Sequence, residues 1–357
     1  MRIEVDRLLR FVAAIFAKAG CDGAEAERVA AGLVDANLTG HDSHGVARVP
    51  RYVEWLRAGE VDSGKHLSVV SESGSLAVVD GQYGFGATVG REAVEFGLDR
   101  AAEAGSAIVA LRHAGHLGRI GQWAELAAGR GFVSLHFVNV GGSVLVAPFG
   151  GVDRRFSTAP VAMGFPVAGQ EPVILDFATS AVAEGKVLVA SNGGKPLPDG
   201  SLIDPDGRLS TDPETLYGPL TATSARDYRN GEGAIRAMGE HKGSGLALMC
   251  ELLGGVLAGS GTSGPGPQRF ANGMVSVYMA PATLGSGDAI AQDATAFLEW
   301  VRASRPAEEG GRVLVPGDPE RATRAERSAN GIPLPDGTWA AILATADGLG
   351  VPSETRP

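Results

Sequence analysis

SLAVVDGQYGFGATVGREAVEFGLDRAAEAGSAIVALRHAGHLGRIG, residues 75–121, is the stretch that decides the fold class. It opens with a short apolar run and continues through a glycine-rich turn into a segment of helical periodicity. A second apolar run follows and leads into the closing glycines. A strand, a helix and a second strand in this order predict a βαβ unit and therefore a mixed α/β fold.

The glycine-rich turn at residues 84–90, GFGATVG, stands where a dinucleotide-binding fold carries its fingerprint. Its spacing is G-x-G-x-x-x-G, and Val89 takes the place of the third glycine. The second strand ends at Arg112 and His113 without the acidic residue that binds a ribose in such folds. The segment therefore favours a tight turn over a Rossmann site.

Helical periodicity dominates the chain on the N-terminal side of this unit. We predict helices near residues 5–18 and 22–40. A third helix is predicted to begin at Asp42 or Ser43, which can cap it, and to end at Gly59. A length of 357 residues suits two compact domains.

The middle of the chain has a different pattern. Short apolar runs separated by turns predict further strands between residues 132 and 180. Residues 192–218 contain several turns of Asp-Pro or Pro-Asp type and few apolar anchors, which predicts an excursion on the surface. The apolar stretch GLALMCELLGGVLAG at residues 245–259 predicts a long helix buried between layers.

Composition and charge restrict the class of protein. There are 31 Lys and Arg against 41 Asp and Glu, a net charge of −10, and 6% aromatic residues, which argues against nucleic-acid binding. Cys21 and Cys250 are the only cysteines, so a disulfide framework is excluded and a reducing cytoplasm fits best. No apolar run reaches the ~18 residues that a membrane span needs. We expect a soluble cytoplasmic protein with no membrane or nucleic-acid partner.

The first candidate constellation consists of His44, Arg48 and Arg51. The predicted third helix places His44 in its first turn and both arginines on the same face, four and seven residues further on. A histidine at this position can exchange a proton near neutral pH, and a guanidinium can bind a carboxylate through two hydrogen bonds. The pattern suits a small anionic substrate. The alternative is a helix-capping histidine beside solvated arginines.

His116 is the second candidate and lies in the loop RHAGHLGRIG, between a strand and a predicted helix. Gly115 and Gly118 flank it. Catalytic side chains often lie in such loops, where a rigid scaffold holds them in an exposed position. A surface-loop histidine is the alternative interpretation, and His113 at the strand end is expected to be structural.

Two further segments suit a nucleotide. GEHKGSG at residues 239–245 offers Lys242 and the backbone N–H groups of Gly243 and Ser244 at the start of a helix, which favours a phosphate. An ordinary helix N-terminus is the alternative. Asp176 in VILDFATS ends a strand, and its carboxylate can accept a hydrogen bond from a ribose hydroxyl or cap a helix.

A metal site is a weaker alternative. His41 with His44, and His113 with His116, form two H-x-x-H pairs, and Asp42 adds a carboxylate of the kind that zinc accepts. Neither pair has the H-E-x-x-H form, and glycines place both pairs around turns. We therefore predict no metal. The G-x-S-x-G elbow of α/β-hydrolases is absent.

Five motifs in a fixed order carry a resemblance to a known family: DSHGVARVPRY, RHAGHLGRIG, ILDFATSAVAEGKV, GEHKGSGLALMCELLGG and VPGDPE. The chain resembles, from about residue 5 to residue 350, the second malate/L-lactate dehydrogenase family. That family lacks a Rossmann domain. Ureidoglycolate dehydrogenase, sulfolactate dehydrogenase, diketogulonate reductase and piperideine-2-carboxylate reductase belong to it.

The resemblance implies a mixed α/β fold of this non-Rossmann type, with a helical N-terminal part and a central cofactor-binding sheet domain. Residues 1–125 together with 286–357 would form a helical domain for substrate binding and dimerisation. Residues 126–285 would form the nicotinamide-cofactor-binding domain. The resemblance further implies a homodimer with its site near the subunit interface.

The resemblance also implies an NAD- or NADP-dependent dehydrogenase or reductase. It would interconvert a small 2-hydroxy acid and a 2-oxo acid, or a cyclic imino acid and an amino acid. His44 and His116 match the active-site histidines of the family, one of which exchanges the proton on the substrate oxygen. Arg48 would hold the substrate carboxylate. Ser43 and Gly45 would lie close to the substrate and the nicotinamide ring.

The remaining cofactor contacts implied by the resemblance are Asp176, Phe177, Ala178, His241, Lys242, Gly243, Gly317 and Asp318. The chain departs from the family at Ala159, because many members have Gly-Thr-Asn-Pro where this chain has Ser-Thr-Ala-Pro. A polar contact is therefore missing there. Two alternatives are a metal-dependent lyase or hydrolase that uses the paired histidines, and a catalytically silent ligand-binding relative.

Overall fold

The predicted βαβ unit is confirmed and begins a seven-stranded mixed sheet. The structure is a computed structural model that describes residues 1–191, 193, 195–219, 228–264, 269–285 and 287–357. These residues contain the strands β1 (Arg2–Ile3), β2 (Ser68–Ser73), β3 (Leu76–Asp80), β4 (Ser106–Ala114), β5 (Val133–Gly141), β6 (Pro160–Phe165), β7 (Val173–Ala178), β8 (Leu202–Ile203), β9 (Leu209–Ser210), β10 (Ala234–Ile235), β11 (Ala271–Met279) and β12 (Ile332–Pro333).

The same part of the chain contains the helices α1 (Val5–Ala19), α2 (Gly23–Leu38), α3 (Val49–Ala58), α4 (Gly86–Ala104), α5 (Gly121–Gly129), α6 (Glu184–Ser191), α7 (Glu214–Tyr217), α8 (His241–Cys250), α9 (Pro281–Leu284), α10 (Gly287–Arg302), α11 (Asp318–Asn330) and α12 (Asp336–Gly348). None of these described helices combines the length and the apolar character that crossing a bilayer requires.

The main sheet runs in the order β2-β3-β4-β11-β5-β6-β7. β3 and β4 are parallel neighbours joined by α4, and every other neighbouring pair is antiparallel. β11 therefore lies at the centre, between β4 and β5. The edge strand β2 was not predicted, because most of its side chains are exposed and its sequence SVVSES carries no apolar alternation.

Two helices cover one face of the sheet and fix the loop that carries His116. Leu98 of α4, Trp123 of α5 and Tyr278 of β11 are buried together in this layer. Gly97 permits close packing, because a Cβ atom there would stand 2.3 Å from the Tyr278 ring. The loop between β4 and α5 is consequently anchored at both ends by a packed core.

A second core is formed by α1, α2, α3 and α12. α1 begins after Glu4, whose carboxylate accepts hydrogen bonds from the backbone N–H groups of Asp6 and Arg7, and it ends at Gly20 with φ 113°. The amphipathic pattern predicted for this helix is confirmed by its buried stripe, which consists of Leu8, Phe11, Val12, Ile15 and Phe16.

The prediction of a surface excursion at residues 192–218 is wrong for the described part of this range. Asn192 and Gly194 lie outside the described residues. β8 and β9 form a three-stranded sheet with β10. A small core of its own supports this sheet and includes Leu197, Leu202, Leu216 and Tyr217. These anchors are few and widely spaced in the sequence, so no periodicity reveals them.

The predicted burial of the long apolar helix is also wrong. α8 continues into a π-helical segment, Glu251–Leu257, and one side of this segment packs on β5 and β11. The opposite side exposes five apolar side chains: Leu248, Met249, Leu252, Val256 and Leu257. The segment therefore covers the sheet on one side and presents an apolar surface on the other.

Candidate active site

The segment that carries His44 consists of two 3-10 turns. The prediction that His44 lies in the first turn of an α-helix is therefore wrong. The turns span Asp42–His44 and Val46–Arg48, and extended backbone at Gly45 separates them. α3 begins only at Val49, because Pro50 suits the first turn of a helix and lacks the N–H that a later position must donate. Turn geometry therefore sets the direction of His44.

The predicted face of three side chains is divided by this arrangement. Nε of Arg48 donates to the backbone oxygen of Ser43 at 2.7 Å, which holds the guanidinium beside the His44 turn. Among the described residues, the two Nη atoms of Arg48 have no hydrogen-bond partner. Arg51 instead lies in solvent and pairs with Glu54 at 3.2 Å. Of these two arginines, Arg48 is the one that remains available to an anion at this site.

His44 and His116 are brought together, although 72 positions separate them in the sequence. Their rings are stacked, with centroids 5.7 Å apart and an interplanar angle of 7°. Nδ1 of His44 lies 3.2 Å from Oγ of Ser43, and Nδ1 of His116 lies 2.6 Å from Oη of Tyr52. Within the described chain, Nε2 of each ring has no partner, so both rings keep one nitrogen available.

Both histidines are neutral at physiological pH. Burial lowers the pKa of His44 to about 3, and the positive charge of Arg48 acts in the same direction. The pKa of His116 is also well below its usual range, first because of burial and then because of Arg48 and His44. The pair is therefore a set of neutral imidazoles beside one permanent positive charge.

An aromatic wall borders His116. Tyr52 and Trp55 of α3 follow Arg48 at helical spacing, and Trp55 stacks on Phe270 with centroids 4.4 Å apart. The rings of Trp55 and Phe270 lie 6.3 Å and 6.4 Å from the His116 ring. A guanidinium and two half-buried imidazoles consequently lie together at one site that has an apolar side.

Asn37 clamps the turn that carries His44, and sequence reasoning missed it. Its side-chain oxygen accepts from the backbone N–H of Val46 at 2.8 Å, and its amide donates to Asp42 at 2.6 Å. Asp42 also receives two hydrogen bonds from Arg327 of α11, at 2.6 Å and 3.0 Å. Gly45 must lack a side chain, because a Cβ atom would stand 2.2 Å from Asn37.

The three segments implied as cofactor contacts lie along β7. β7 ends with residues 176–178, and Thr179 follows directly. The backbone oxygen of Thr179 lies so close to Gly243 of α8 that a Cβ atom on Gly243 would be 2.7 Å from it. The backbone oxygen of Pro316, which precedes Gly317, accepts from Ile174 at the start of β7 at 3.3 Å. The structure thus brings residues 241–243 to one end of β7 and Gly317 to the other.

Asp176 connects this strand to the histidine loop. Its carboxylate accepts from the backbone N–H of Gly121 at 2.8 Å, at the start of the helix that follows His116. Burial raises the pKa of Asp176, although His41, the Gly121 hydrogen bond and Arg119 act in the opposite direction. Lys242 and His241 are exposed at the start of α8.

Arg119 is a further site residue that sequence reasoning missed. It is buried, and its Nη2 atom pairs with Glu125 at 2.5 Å and Asp35 at 3.2 Å. Nε and Nη1 are buried without a hydrogen-bond partner among the described residues. Its charge acts on both Asp176 and His44. Two unused donors therefore stand between the β7 segments and the histidine pair.

The two H-x-x-H pairs are separated in the structure. His41 pairs with Glu320 at 3.4 Å, and His113 pairs with Asp80 at 3.1 Å and stacks on Tyr83. In the part of the chain that the structure describes, no three His, Cys, Asp or Glu side chains are grouped closely enough to hold a metal ion.

Comparisons with known proteins agree with this architecture. A family model described as malate/L-lactate dehydrogenase matches residues 3–343. Hydroxycarboxylate dehydrogenase B from Escherichia coli strain K12 is 41% identical over 360 residues, covering 99% of this chain and 96% of that protein. The structure of sulfolactate dehydrogenase from Methanocaldococcus jannaschii matches with a TM-score of 0.85 and 28% identity, covering 100% of this chain and 99% of that one.

A third similar protein is Δ1-piperideine-2-carboxylate reductase from Pseudomonas syringae, whose structure matches with a TM-score of 0.82 and 29% identity. It covers 97% of this chain and 100% of that one. The predicted fold class and the resemblance are thereby confirmed. The chain belongs to the malate/L-lactate dehydrogenase family and is an oxidoreductase that acts on a hydroxy acid.

Proposed function

We propose that the protein transfers a hydride between a nicotinamide cofactor, NAD or NADP, and a small 2-hydroxy or 2-oxo acid of the malate or lactate type, or a cyclic imino acid. One observation carries the proposal. The Nη atoms of Arg48 have no partner among the described residues, and they stand beside two neutral histidines that each keep Nε2 available.

Arg48 is the group that binds the substrate carboxylate. A guanidinium and a carboxylate form two parallel, charge-assisted hydrogen bonds, which orient the acid as well as bind it. The positive charge of Arg48 also lowers the pKa of both histidines. Because a bound carboxylate offsets that charge, we expect substrate binding to raise both pKa values toward the range in which a histidine exchanges protons.

His44 and His116 are the groups that act at the substrate oxygen. Each has a protein hydroxyl at Nδ1, so Nε2 is the atom that faces a substrate or solvent. In the oxidative direction, a neutral imidazole accepts the hydroxyl proton at Nε2. In the reductive direction, the same nitrogen returns it. The rings of Trp55 and Phe270 give this site an apolar side next to His116.

The residues around β7 fit a dinucleotide. Asp176 offers a carboxylate for a ribose hydroxyl, and the exposed Lys242 offers a positive charge for a diphosphate. The predicted use of the N–H groups of Gly243 and Ser244 is wrong, because they already donate to the backbone oxygens of Met238 and Glu240. The buried guanidinium of Arg119 adds a positive charge near Asp176. A bound nicotinamide would supply or accept the hydride, which no protein side chain can do.

We further propose the homodimer and the two-domain division given above. The apolar face of the α8 and π-helical segment supports a homodimer, because five exposed aliphatic side chains on one surface are typical of a covered interface. The division assigns residues 126–285 to cofactor binding. The two parts share one sheet, in which β5, β6, β7 and β11 come from this range and β2, β3 and β4 come from the other part.

The proposal is tested by following the absorbance of NADH and NADPH with a panel of 2-oxo acids and cyclic imino acids. Each reaction is run with and without a chelator. We expect turnover that survives the chelator, and the preferred cofactor and acid follow from the same data. Loss of turnover with chelator would favour a metal-dependent activity instead. Absence of turnover with both cofactors, in a folded protein, would contradict the proposal.

Arg48→Ala and Arg51→Ala form a matched pair for the carboxylate site. We expect Arg48→Ala to raise KM for the acid by about 10-fold to 100-fold, because a charge-assisted hydrogen bond contributes roughly 1.5–3 kcal/mol. Arg51→Ala removes the same charge from the exposed side of α3 and should leave KM within about twofold. Equal constants for both variants would show that Arg48 does not bind the carboxylate.

A further inference from the structure

Tyr52 and His116 form the shortest hydrogen bond at the histidine pair, with Oη and Nδ1 2.6 Å apart. Tyr52 is 5% exposed and lies one helical turn after Arg48. Its ring meets the His116 ring edge-on, at 72° and 5.8 Å between centroids. The phenol is therefore held by the core and directed at one nitrogen of a proposed catalytic histidine.

The side chains described around the Tyr52 ring are mostly aromatic, and these rings provide no hydrogen-bond acceptor for its hydroxyl. Phe16, Trp55 and Phe85 contact the ring, at centroid distances of 6.3, 5.6 and 6.2 Å. Among the described residues, Nδ1 of His116 is the single hydrogen-bond partner of Oη. Burial raises the pKa of Tyr52, so the phenol keeps its hydrogen.

These facts decide the direction of the hydrogen bond. If Nδ1–H donated to Oη, the phenol hydrogen would need a second acceptor, and a buried donor without an acceptor costs roughly 1–3 kcal/mol. If Oη–H donates to Nδ1, both groups are satisfied. A neutral imidazole that accepts at Nδ1 carries its hydrogen on Nε2.

We propose that Tyr52 is a positioning residue that fixes His116 in the Nε2–H tautomer, so that His116 presents a hydrogen-bond donor to the substrate oxygen. The inference rests on the proposed function for the identity of that oxygen. It also separates the two histidines. His44 faces the adaptable hydroxyl of Ser43, which can donate or accept, so His44 remains able to take up a proton at Nε2.

The tautomer can be measured directly in the full chain by labelling its histidines with 15N and recording long-range 1H–15N spectra. The His116 signals are assigned from their absence in His116→Gln. We expect the Nε2–H pattern for His116 in the wild type. In Tyr52→Phe we expect a mixture of both tautomers, together with a kcat lowered about 10-fold to 100-fold and a KM within about twofold.

Tyr83→Phe is the matched control. Tyr83 also lies against a histidine ring and stacks on His113 at 5.0 Å between centroids, but this pair has no ring-nitrogen hydrogen bond to the phenol among the described residues. We expect Tyr83→Phe to leave both the His116 signals and kcat unchanged.

Three results would overturn the inference: an Nδ1–H pattern for His116 in the wild type, an even mixture there, or an unaltered tautomer in Tyr52→Phe. The wild-type spectrum decides the matter even if Tyr52→Phe does not fold. Because the spectrum needs no turnover, a failure of the proposed function appears separately, as an Nε2–H signal in a protein that reduces no acid.

Discussion

Histidines with a lowered pKa occur in two regions of this protein, and the regions differ in what surrounds the ring. His136 lies inside the sheet, where Nδ1 is 2.8 Å from Ser276 and Nε2 is 3.1 Å from Ser134. His44 and His116 lie in the candidate active site, where only Nδ1 of each ring has a partner in the described chain. Burial lowers the pKa of His136 to about 3, as it does for His44.

A lowered pKa therefore does not separate a structural histidine from a functional one here. The number of satisfied ring nitrogens does. His136 uses both nitrogens inside the sheet, Nδ1 toward Ser276 of β11 and Nε2 toward Ser134 of its own strand β5, and it has nothing left to offer a ligand. Among the described residues, His44 and His116 each have an unpaired Nε2 beside Arg48, which is the arrangement that acid-base chemistry requires.

The largest expected effect is the loss of kcat on removing His44 or His116. His44→Ala and His116→Ala should each lower kcat by about 10²-fold to 10⁴-fold, because positioned acid-base groups contribute that much. The midpoint of thermal unfolding should change little, since both rings are only half-buried. Steady-state kinetics and calorimetry measure the two quantities. His66→Ala, at an exposed histidine, is the control. A kcat within about threefold of wild type in both His44→Ala and His116→Ala would contradict the comparison.

His136→Leu should have the opposite profile. It leaves the hydroxyls of Ser134 and Ser276 buried without their partner, so we expect the free energy of unfolding to fall by about 2–4 kcal/mol while kcat stays unchanged. Urea unfolding measures the loss. Adding Ser134→Ala and Ser276→Ala to the same chain should recover part of it, because neither serine hydroxyl is then left without its partner. A wild-type unfolding curve for His136→Leu would refute a structural role.

Asn37→Ala sharpens the comparison, because Asn37 holds a functional histidine without touching it. We expect kcat/KM to fall about 10-fold as the 3-10 turns lose their clamp, since small displacements of a catalytic group are costly. Asn330→Ala, at an exposed asparagine on α11, should have no effect. Equal activities in the two variants would mean that Arg327 alone holds the turn.

The smallest expected effect concerns pH. His136 binds a proton more readily when the chain is unfolded, because its pKa falls from 6.5 to about 3 on folding. Its stabilising contribution is therefore complete above pH 6.5 and is lost as the pH falls toward 3. Between about pH 7.5 and about pH 5.5 the wild type should lose roughly 1 kcal/mol more than His136→Leu does. Parallel slopes of unfolding free energy against pH would contradict this.

Local patterns predicted much of the fold. Periodicity found the βαβ unit and the stripe of α1, because each depends on neighbours within a few residues. The start of α3 was misplaced, since Gly45 and Pro50 interrupt an apolar pattern that continues through them. The core under β8 and β9 was missed because its anchors are sparse.

The candidate site was predicted through its motifs but not through its supports. His44, Arg48 and His116 were candidates because their residue types carry chemistry, and Ser43 was implied by the resemblance; the structure brings these four together. Asn37, Tyr52, Arg119 and Arg327 were not found, because their roles come from contacts between positions far apart in the chain, such as the pair 37 and 327. A buried asparagine or arginine has no local signature that distinguishes it from an exposed one.

The central position of β11 has a consequence for biosynthesis. β4 and β5 leave the ribosome early, and each then has a long edge of unpaired N–H and C=O groups. Only when residues 271–279 emerge can one strand pair with both edges and join the two halves of the sheet. Open edges recruit other strands, and pairings across a long stretch of chain form slowly. The folding yield in a cell therefore depends on how quickly translation of the last quarter of the chain follows the first half.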